Sequence, residues 1–444
     1  MKKAVVVLTV IAVLLAGCSK QEGSVEGGKT GSDQVTIVVG GWPSADVAFG
    51  AAMAGFKAKY PNINVDIQMQ ETGAYHQALQ TSLAAGSGAP DVAMIEGAYI
   101  AQYRDSSALV NLLEAPYNAG RYQNDFVALK WDQAVSTDGK RMVAFSWDIG
   151  PSALYYRADV FKSVGLPSEP EEVAKYLDSW PNVLEAAKKL HIPGERWFLT
   201  EANTLYMDFF HNRDYYDKQL NFMLDRPGDL ECLDVVIQMR KNGLDMNANI
   251  WSPEGTAAVN NGAVVGVLLG SWFGGFLKDD FDPDGTGNWR VTRLPGNVHG
   301  QGQGGSFCAI PTQSKNKDAA WAFLEYVCAT KEGQNAMFKA VDYFPAYQPA
   351  WDDPIYDEAD PYFGGQKTRE LYTQLAEGLD IPIFTTIMDQ AAEGLISGAI
   401  STGIERGMNA SQIKTFIRSE VETGTAELRR QQIQTLQDAG AWGK

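Results

Sequence analysis

The chain has 444 residues and a formal charge of −17, with 54 acidic against 37 basic side chains. An acidic chain without a basic block is a poor match for a phosphate backbone, which excludes nucleic acid as a partner. Besides Cys18 there are Cys232, Cys308 and Cys328, an odd set without CxxC spacing that excludes a disulfide framework and a structural zinc site; no cofactor or metal is expected.

Lys2 and Lys3 precede an apolar run, residues 4–15, broken only by Thr9. The run is shorter than the roughly 20 residues a membrane span needs. It ends in Leu15-Ala16-Gly17-Cys18, small residues suited to processing after an apolar segment. The string resembles the bacterial lipobox, in which the cysteine is lipidated and becomes the first mature residue. Residues 1–17 are therefore expected to be a signal peptide. Residues 18–34, rich in Ser, Gly, Glu and Lys, are expected to be a flexible tether anchored through Cys18. No later run is long and apolar enough to span a membrane, so the folded part is expected on the extracytoplasmic face of the cell membrane or in a periplasm.

Strand and helix signals then alternate. Residues 35–39 form a β-branched run ending at Gly40-Gly41, and residues 45–60 carry Val47, Phe49, Met53 and Phe56 at helical spacing before Pro61. Ile63, Val65, Ile67 and Met69 alternate as a strand; residues 74–85 read as a helix stopped at Gly86, and 91–95 as a buried strand. This βαβαβ order predicts an α/β chain with a parallel sheet, whose ligands bind at the carboxyl ends of the strands. The loops there hold Trp42 with Asp46, Glu71 with Tyr75, and Glu96 with Tyr99. An aromatic beside a carboxylate suits a sugar: the C–H face of a pyranose stacks on the ring, and its hydroxyls donate to the carboxylate. Trp42 or Tyr99 would serve equally well as a cap on the core.

Further along, an extended run at 143–146 meets Gly150-Pro151, a rigid turn that places Trp147 or Asp148 at a cleft; a core tryptophan with a capping aspartate is the competing reading. Residues 266–270 read as a buried strand, followed by Trp272 between glycines. Gly300 to Gly305 fit the GxGxxG pattern, but a strand at 307–310 follows where a dinucleotide site needs a helix. The loop is read instead as bringing the backbone of Gly304, Gly305 and Ser306 close to a ligand. Asp280, Asp282, Asp284 and Gly285 begin a calcium-loop pattern, yet its twelfth position is Val291 and Pro283 lies inside, so a solvated acidic turn is expected. The histidines (His76, His191, His211, His299) have no metal-ligand spacing, and no GxSxG elbow occurs.

Several strings together, in order, resemble the extracellular solute-binding proteins of family 1, the group of maltose- and multiple-sugar-binding lipoproteins. They are Phe56-Lys57-Ala58-Lys59-Tyr60-Pro61-Asn62-Ile63, Gly86-Ser87-Gly88-Ala89-Pro90-Asp91-Val92, Trp147-Asp148-Ile149-Gly150-Pro151, Gly270-Ser271-Trp272, and Ile310-Pro311-Thr312-Gln313-Ser314-Lys315-Asn316-Lys317 with Ala320-Trp321. The resemblance implies a two-lobe, periplasmic-binding-protein-like fold of type II, hinged, with a ligand cleft between lobes. Lobe 1 would comprise 35–149 and 305–345, and lobe 2 150–304 and 346–444. In relatives the aromatic at the place of Trp272 stacks on sugar; Tyr347, in the segment re-entering lobe 2, is a weaker candidate. The implied function is a monomeric, carbohydrate-binding, non-enzymatic subunit of an ABC importer that delivers its sugar to permease subunits. Two alternatives stand beside it. One is a secreted glycoside hydrolase drawing a carboxylate pair from Glu71, Glu96 and Asp148, at about 5 Å or roughly 6.5–9.5 Å separation. The other is a binder of a non-sugar solute such as glycerol phosphate, which would want a basic cleft.

Overall fold

The computed structural model describes residues 34–211, 214–298, 302–379, 383–440 and 442. The expected signal peptide, Cys18 and the tether up to residue 33 lie outside the described residues, as do His299, Gly300 and Gln301.

Among the described residues, eight strands make two sheets. The first is built from β1 (Val35–Gly41), β2 (Ile63–Met69), β3 (Val92–Glu96), β4 (Ala144–Ser146) and β8 (Ser306–Ala309), in the spatial order β2-β1-β3-β8-β4. β1 runs parallel to β2 and β3, whereas β8 is antiparallel to β3 and β4. The helices Ala45–Lys59 and Thr72–Ala85 supply the crossovers that parallel strands require. The second helix starts at Glu71, whose carboxylate caps it, and stops at Gly86, which adopts φ 68°. The opening βαβαβ unit thus forms as the alternation predicts, with the second helix beginning two residues earlier than expected.

The second sheet holds β5 (Ser152–Arg157), β6 (Gly266–Gly270) and β7 (Trp289–Thr292), in the order β6-β5-β7 and antiparallel throughout. Alternation along β5 divides its side chains between two cores. Ala153 and Tyr155 join the cluster shared with the first sheet, while Leu154 and Tyr156 face the helices of lobe 2. Those helices include Trp180–Leu190, Asn203–Phe210, Asp229–Lys241, Asp389–Glu405 and Ala410–Gly424.

Each sheet marks one lobe, and three stretches of chain lie side by side where the two lobes meet. The first, 147–151, links β4 to β5; the second, 302–306, leads into β8; the third is 343–346. Trp147 N–H donates to Ser306 O (3.0 Å), Gln303 N–H to Gly150 O (2.7 Å) and Ile149 N–H to Phe344 O (2.7 Å). Asp148 pairs with Pro345 as an isolated bridge. Beyond this seam, 347–357 stays with lobe 1. Asn335 donates to Ala350 O (3.0 Å) and Tyr356 stacks on Phe338 at 5.2 Å, both partners lying on the helix Lys331–Val341. Only from about residue 360 does the chain meet the second sheet, where Gln366 brackets Val291 and the Tyr372 hydroxyl meets that of Tyr155 at 2.9 Å. The packing of Tyr356 on Phe338 keeps 347–357 beside lobe 1 past the expected boundary at 345/346.

Gly150 is required by this seam: a Cβ there would stand 2.1 Å from Gln303 O and 2.8 Å from the Trp272 ring. Gly150→Ala is expected to destabilise the protein by about 1–3 kcal/mol, the usual cost of overpacking, read as a lower denaturation midpoint. Gly50, inside the helix Ala45–Lys59 with nothing within 4 Å of an added Cβ, provides the contrast. Gly50→Ala is expected to raise stability by up to about 1 kcal/mol through helix propensity.

Candidate functional site

A cleft of about 460 Å³ lies along the seam between the lobes. Lobe 1 contributes the residues that follow its strands: Trp42 to Ser44 after β1, Glu71 and Thr72 after β2, and Glu96 at the end of β3. The stretches along the seam supply Asp148, Gly304, Gly305, Ser306 and Tyr343, and lobe 2 supplies Trp251, Trp272 and Phe276.

The lobe 2 wall is aromatic. Trp272 and Trp251 stack at 5.9 Å with an interplanar angle of 21°. Phe276 meets both rings edge-on, at 6.0 and 5.7 Å, and Phe281 holds Trp251 in the same way at 5.5 Å. The Trp272 indole N–H donates to Gln303 O (2.9 Å), so its polar edge is satisfied on the second passage and the ring is left to the cleft. Trp251 is 49 % exposed, unusual for a tryptophan ringed by aromatic neighbours.

The opposite side is acidic. Asp148 is buried, and its Oδ1 accepts the Ser306 N–H at 2.6 Å. Burial pushes its carboxyl up to about 7, opposed by the Lys130 ammonium and the Ser306 N–H. Glu96 is likewise raised, by burial and then by Glu393 on the helix Asp389–Glu405, with Lys130 pulling the other way. Its main-chain N–H donates to His76 Nε2 (3.1 Å), which leaves Nδ1 as the protonated nitrogen donating to Thr72 O (2.8 Å). That neutral imidazole stacks on Tyr99 at 4.1 Å and meets Trp42 at 5.2 Å. Glu71 is held below the usual carboxylate range by the N–H groups of Ala74 and Gly73, because its carboxylate caps the helix behind it.

Of the residues singled out from sequence, Trp42, Glu71, Glu96, Asp148, Trp272, Gly304, Gly305 and Ser306 line this cleft; four do not. Asp46 is exposed in the first turn of the helix Ala45–Lys59, where it complements the helix dipole. Tyr75 is buried against the sheet with its hydroxyl on Gly40 O (2.9 Å). Trp147 is packed in the core between Phe49 (5.0 Å) and Tyr343 (5.7 Å). Tyr347 packs on Phe126 (5.4 Å) and Tyr122 (6.5 Å), within lobe 1. Sequence reasoning missed Ser44, Thr72, Trp251, Phe276 and Tyr343, and Lys130 beneath the cleft. No local signal marked Trp251 as a cleft residue: it stands just before the helix Pro253–Asn260, with no strand before it.

The Asp280–Asp284 turn departs from the solvated reading at one residue: Asp282 is buried, accepting the Trp289 indole N–H (2.8 Å) beside Arg157 (3.9 Å). Among the described residues no group of His, Cys, Asp and Glu is placed to hold a metal. Cys232, Cys308 and Cys328 are free and buried, as structural thiols. No described helix is long and apolar enough to cross a membrane.

The chain is similar to known proteins along most of its length. The arabinooligosaccharide-binding protein of Bacillus subtilis (strain 168) is 25 % identical over 377 residues, covering 80 % of this chain and 82 % of that protein. Among solved structures, one described as an extracellular solute-binding protein of family 1 superposes with a TM-score of 0.74 at 23 % identity, covering 88 % of this chain and 99 % of the other. The ABC-transporter-associated binding protein of B. animalis subsp. lactis Bl-04, in complex with β-1,6-galactobiose, has a TM-score of 0.70 at 22 % identity, with 90 % and 98 % coverage. The model of the bacterial extracellular solute-binding protein family matches residues 51–361. With its two hinged α/β lobes and the cleft between them, the chain belongs to the bacterial extracellular solute-binding proteins.

Proposed function

We propose that this protein captures a neutral oligosaccharide between its lobes and delivers it to the permease of an ABC importer, from a lipid anchor at Cys18. The observation that carries the sugar reading is the stacked Trp251–Trp272 pair facing Glu96 and Asp148 across one cleft. Two indole faces offer a platform longer than one pyranose, and the carboxylates accept hydroxyl hydrogens along its edge. The volume lies within the ~300–1,000 Å³ of small-molecule clefts. The named ligands of the similar proteins, arabino-oligosaccharides and a galactobiose, are of this chemical class. A phosphorylated solute is disfavoured, because Glu71, Glu96 and Asp148 line the cleft while Lys130 beneath it is already engaged. Closure follows from a sugar that touches both lobes and so binds the closed form better.

Titration calorimetry with the sugar giving the largest thermal shift in a carbohydrate panel tests the platform. Trp272→Ala is expected to weaken binding by roughly 30- to 1,000-fold, the usual cost of removing an aromatic anchor. Trp251→Ala is expected to cost more for a trisaccharide than for a monosaccharide; equal losses for both would remove Trp251 from the platform.

Incubated with that oligosaccharide, the protein is expected to return it intact at every pH where it binds. Shorter products that vanish in Glu96→Gln would restore the hydrolase reading. For the anchor, Cys18→Ser is expected to release the protein from the membrane fraction or leave it unprocessed, and normal membrane partitioning of that variant would refute lipidation.

A further inference from the structure

Lys130, on the short helix Ala128–Ala134, is 3 % exposed, and among the described residues no other lysine is buried to that degree. A buried ammonium is costly unless its charge and its hydrogens are matched. Its Nζ donates to Gly304 O at 2.8 Å and stands 5.3 Å from the centre of the Phe307 ring. Glycines make the room for it. A Cβ on Gly305 would lie 2.5 Å from Nζ, and one on Gly97 3.5 Å. Asp148 and Glu96 are the acidic groups that act on it. The ammonium therefore sits under the second passage, with one carboxylate on the first passage and the other at the end of β3.

We propose that Lys130 is a positioning residue of the ligand site: it holds the second passage by the Gly304 carbonyl and, from beneath that passage, favours the ionised acceptor form of Glu96 and Asp148 at the base of the cleft. The proposal deepens the sugar reading and rests on it for its effect on affinity. The groups facing the pair are few. Glu96 has Lys130, Asp148, Glu393 from the helix Asp389–Glu405, and the neutral His76 ring behind its main chain. Asp148 has Lys130, Glu96, the buried Cys328 thiol and the Tyr343 phenol. Among these Lys130 is the only cation. Burial raises both carboxyls and pulls the ammonium down to about 8, so at neutral pH the balance depends on that one charge. Without it, both carboxyls would hold their protons to higher pH, and the charge-assisted bonds to sugar hydroxyls would weaken.

The test uses Lys130→Met and the double variant Lys130→Met/Asp148→Asn in the otherwise intact chain. Carboxyl ¹³C shifts of Glu96 and Asp148 are followed by NMR from pH 4 to 9 without ligand, and affinity for the sugar with the largest thermal shift is measured over the same range. In Lys130→Met both carboxyls are expected to titrate at least one pH unit higher. The fall of affinity at low pH is expected to move up with them, giving about tenfold weaker binding or more at pH 7. In the double variant, which lacks both the ammonium and the neighbouring carboxylate, Glu96 is expected to titrate above the parent, as in Lys130→Met, because Lys130 is the charge that lowers it. Because the buried charge is rebalanced there, this variant also decides the question if Lys130→Met alone fails to fold. Unchanged carboxyl titrations in a folded Lys130→Met, or a Glu96 that titrates as in the parent in the double variant, would overturn the proposal and leave Lys130 a packing residue. If the parent binds no sugar in the panel, the sugar reading fails separately, while the NMR titration still decides the role of Lys130.

Discussion

The two lobes meet at a seam only a few residues wide, in which main-chain hydrogen bonds join stretches far apart in sequence. Trp147 N–H reaches Ser306 O, Gln303 N–H reaches Gly150 O, and Ile149 N–H reaches Phe344 O. Buried peptide groups must find partners, and here each passage satisfies its neighbour. The consequence is that β4 and β5 must enter different sheets from one side of the seam, while β8 enters from the other and lies between β3 and β4 in antiparallel pairing. Side chains at the ends of these strands are then delivered to the same place. The cleft is a product of the crossing and does not need a separate loop architecture to build it.

The site divides its chemistry between walls of different polarity. On lobe 2 the indoles are supported by edge-on phenyl rings, and the one polar atom of Trp272 is satisfied on the second passage. On the other side the carboxylates are spaced along strand ends, and Glu71 also serves as the cap of its own helix. Burial works against charge at Asp148 and Glu96, and the seam offsets it with the Ser306 N–H and the Lys130 ammonium. Gly304 and Gly305, at φ 74° and 87°, take a left-handed path open to glycine, and the missing side chain at Gly305 is also the space Lys130 occupies.

Much of the architecture was legible because alternation and punctuation agree with it. The β-branched runs, the Pro61 and Gly86 stops and the buried strand at 266–270 are local signals, and local signals decide strands and helices. The site was legible only in part, since a residue after a strand can face either the ligand or the core. Tyr75 shows how the ambiguity could have been reduced. Tyr75, Leu79 and Leu83 are spaced by four on the helix Thr72–Ala85 and all three are buried on one face. Trp147 sits in an unbroken buried run, 142–150, where strand period could not tell a core position from a cleft one. Trp251 had no local signal either: its place depends on the ring of Trp272, which reaches it through the fold. Lys130 is hidden for the same reason, as a lone lysine in a short helix carries no mark of the two carboxylates that surround it in space.

The edge-on packing around Trp251 and Trp272 has a bearing on the thermodynamics of capture. Each ring is already fixed by neighbours on its own lobe, Phe276 for both and Phe281 for Trp251, and none of these contacts needs the other lobe to be closed. Aromatic side chains with few torsions, held in this way, give up their rotamer freedom when the lobe folds and not when the solute arrives. The entropy that remains to be lost on binding is that of the solute and of the hinge. The aromatic wall is thus a preorganised template, and the conformational part of recognition is concentrated in the relative motion of two otherwise rigid bodies.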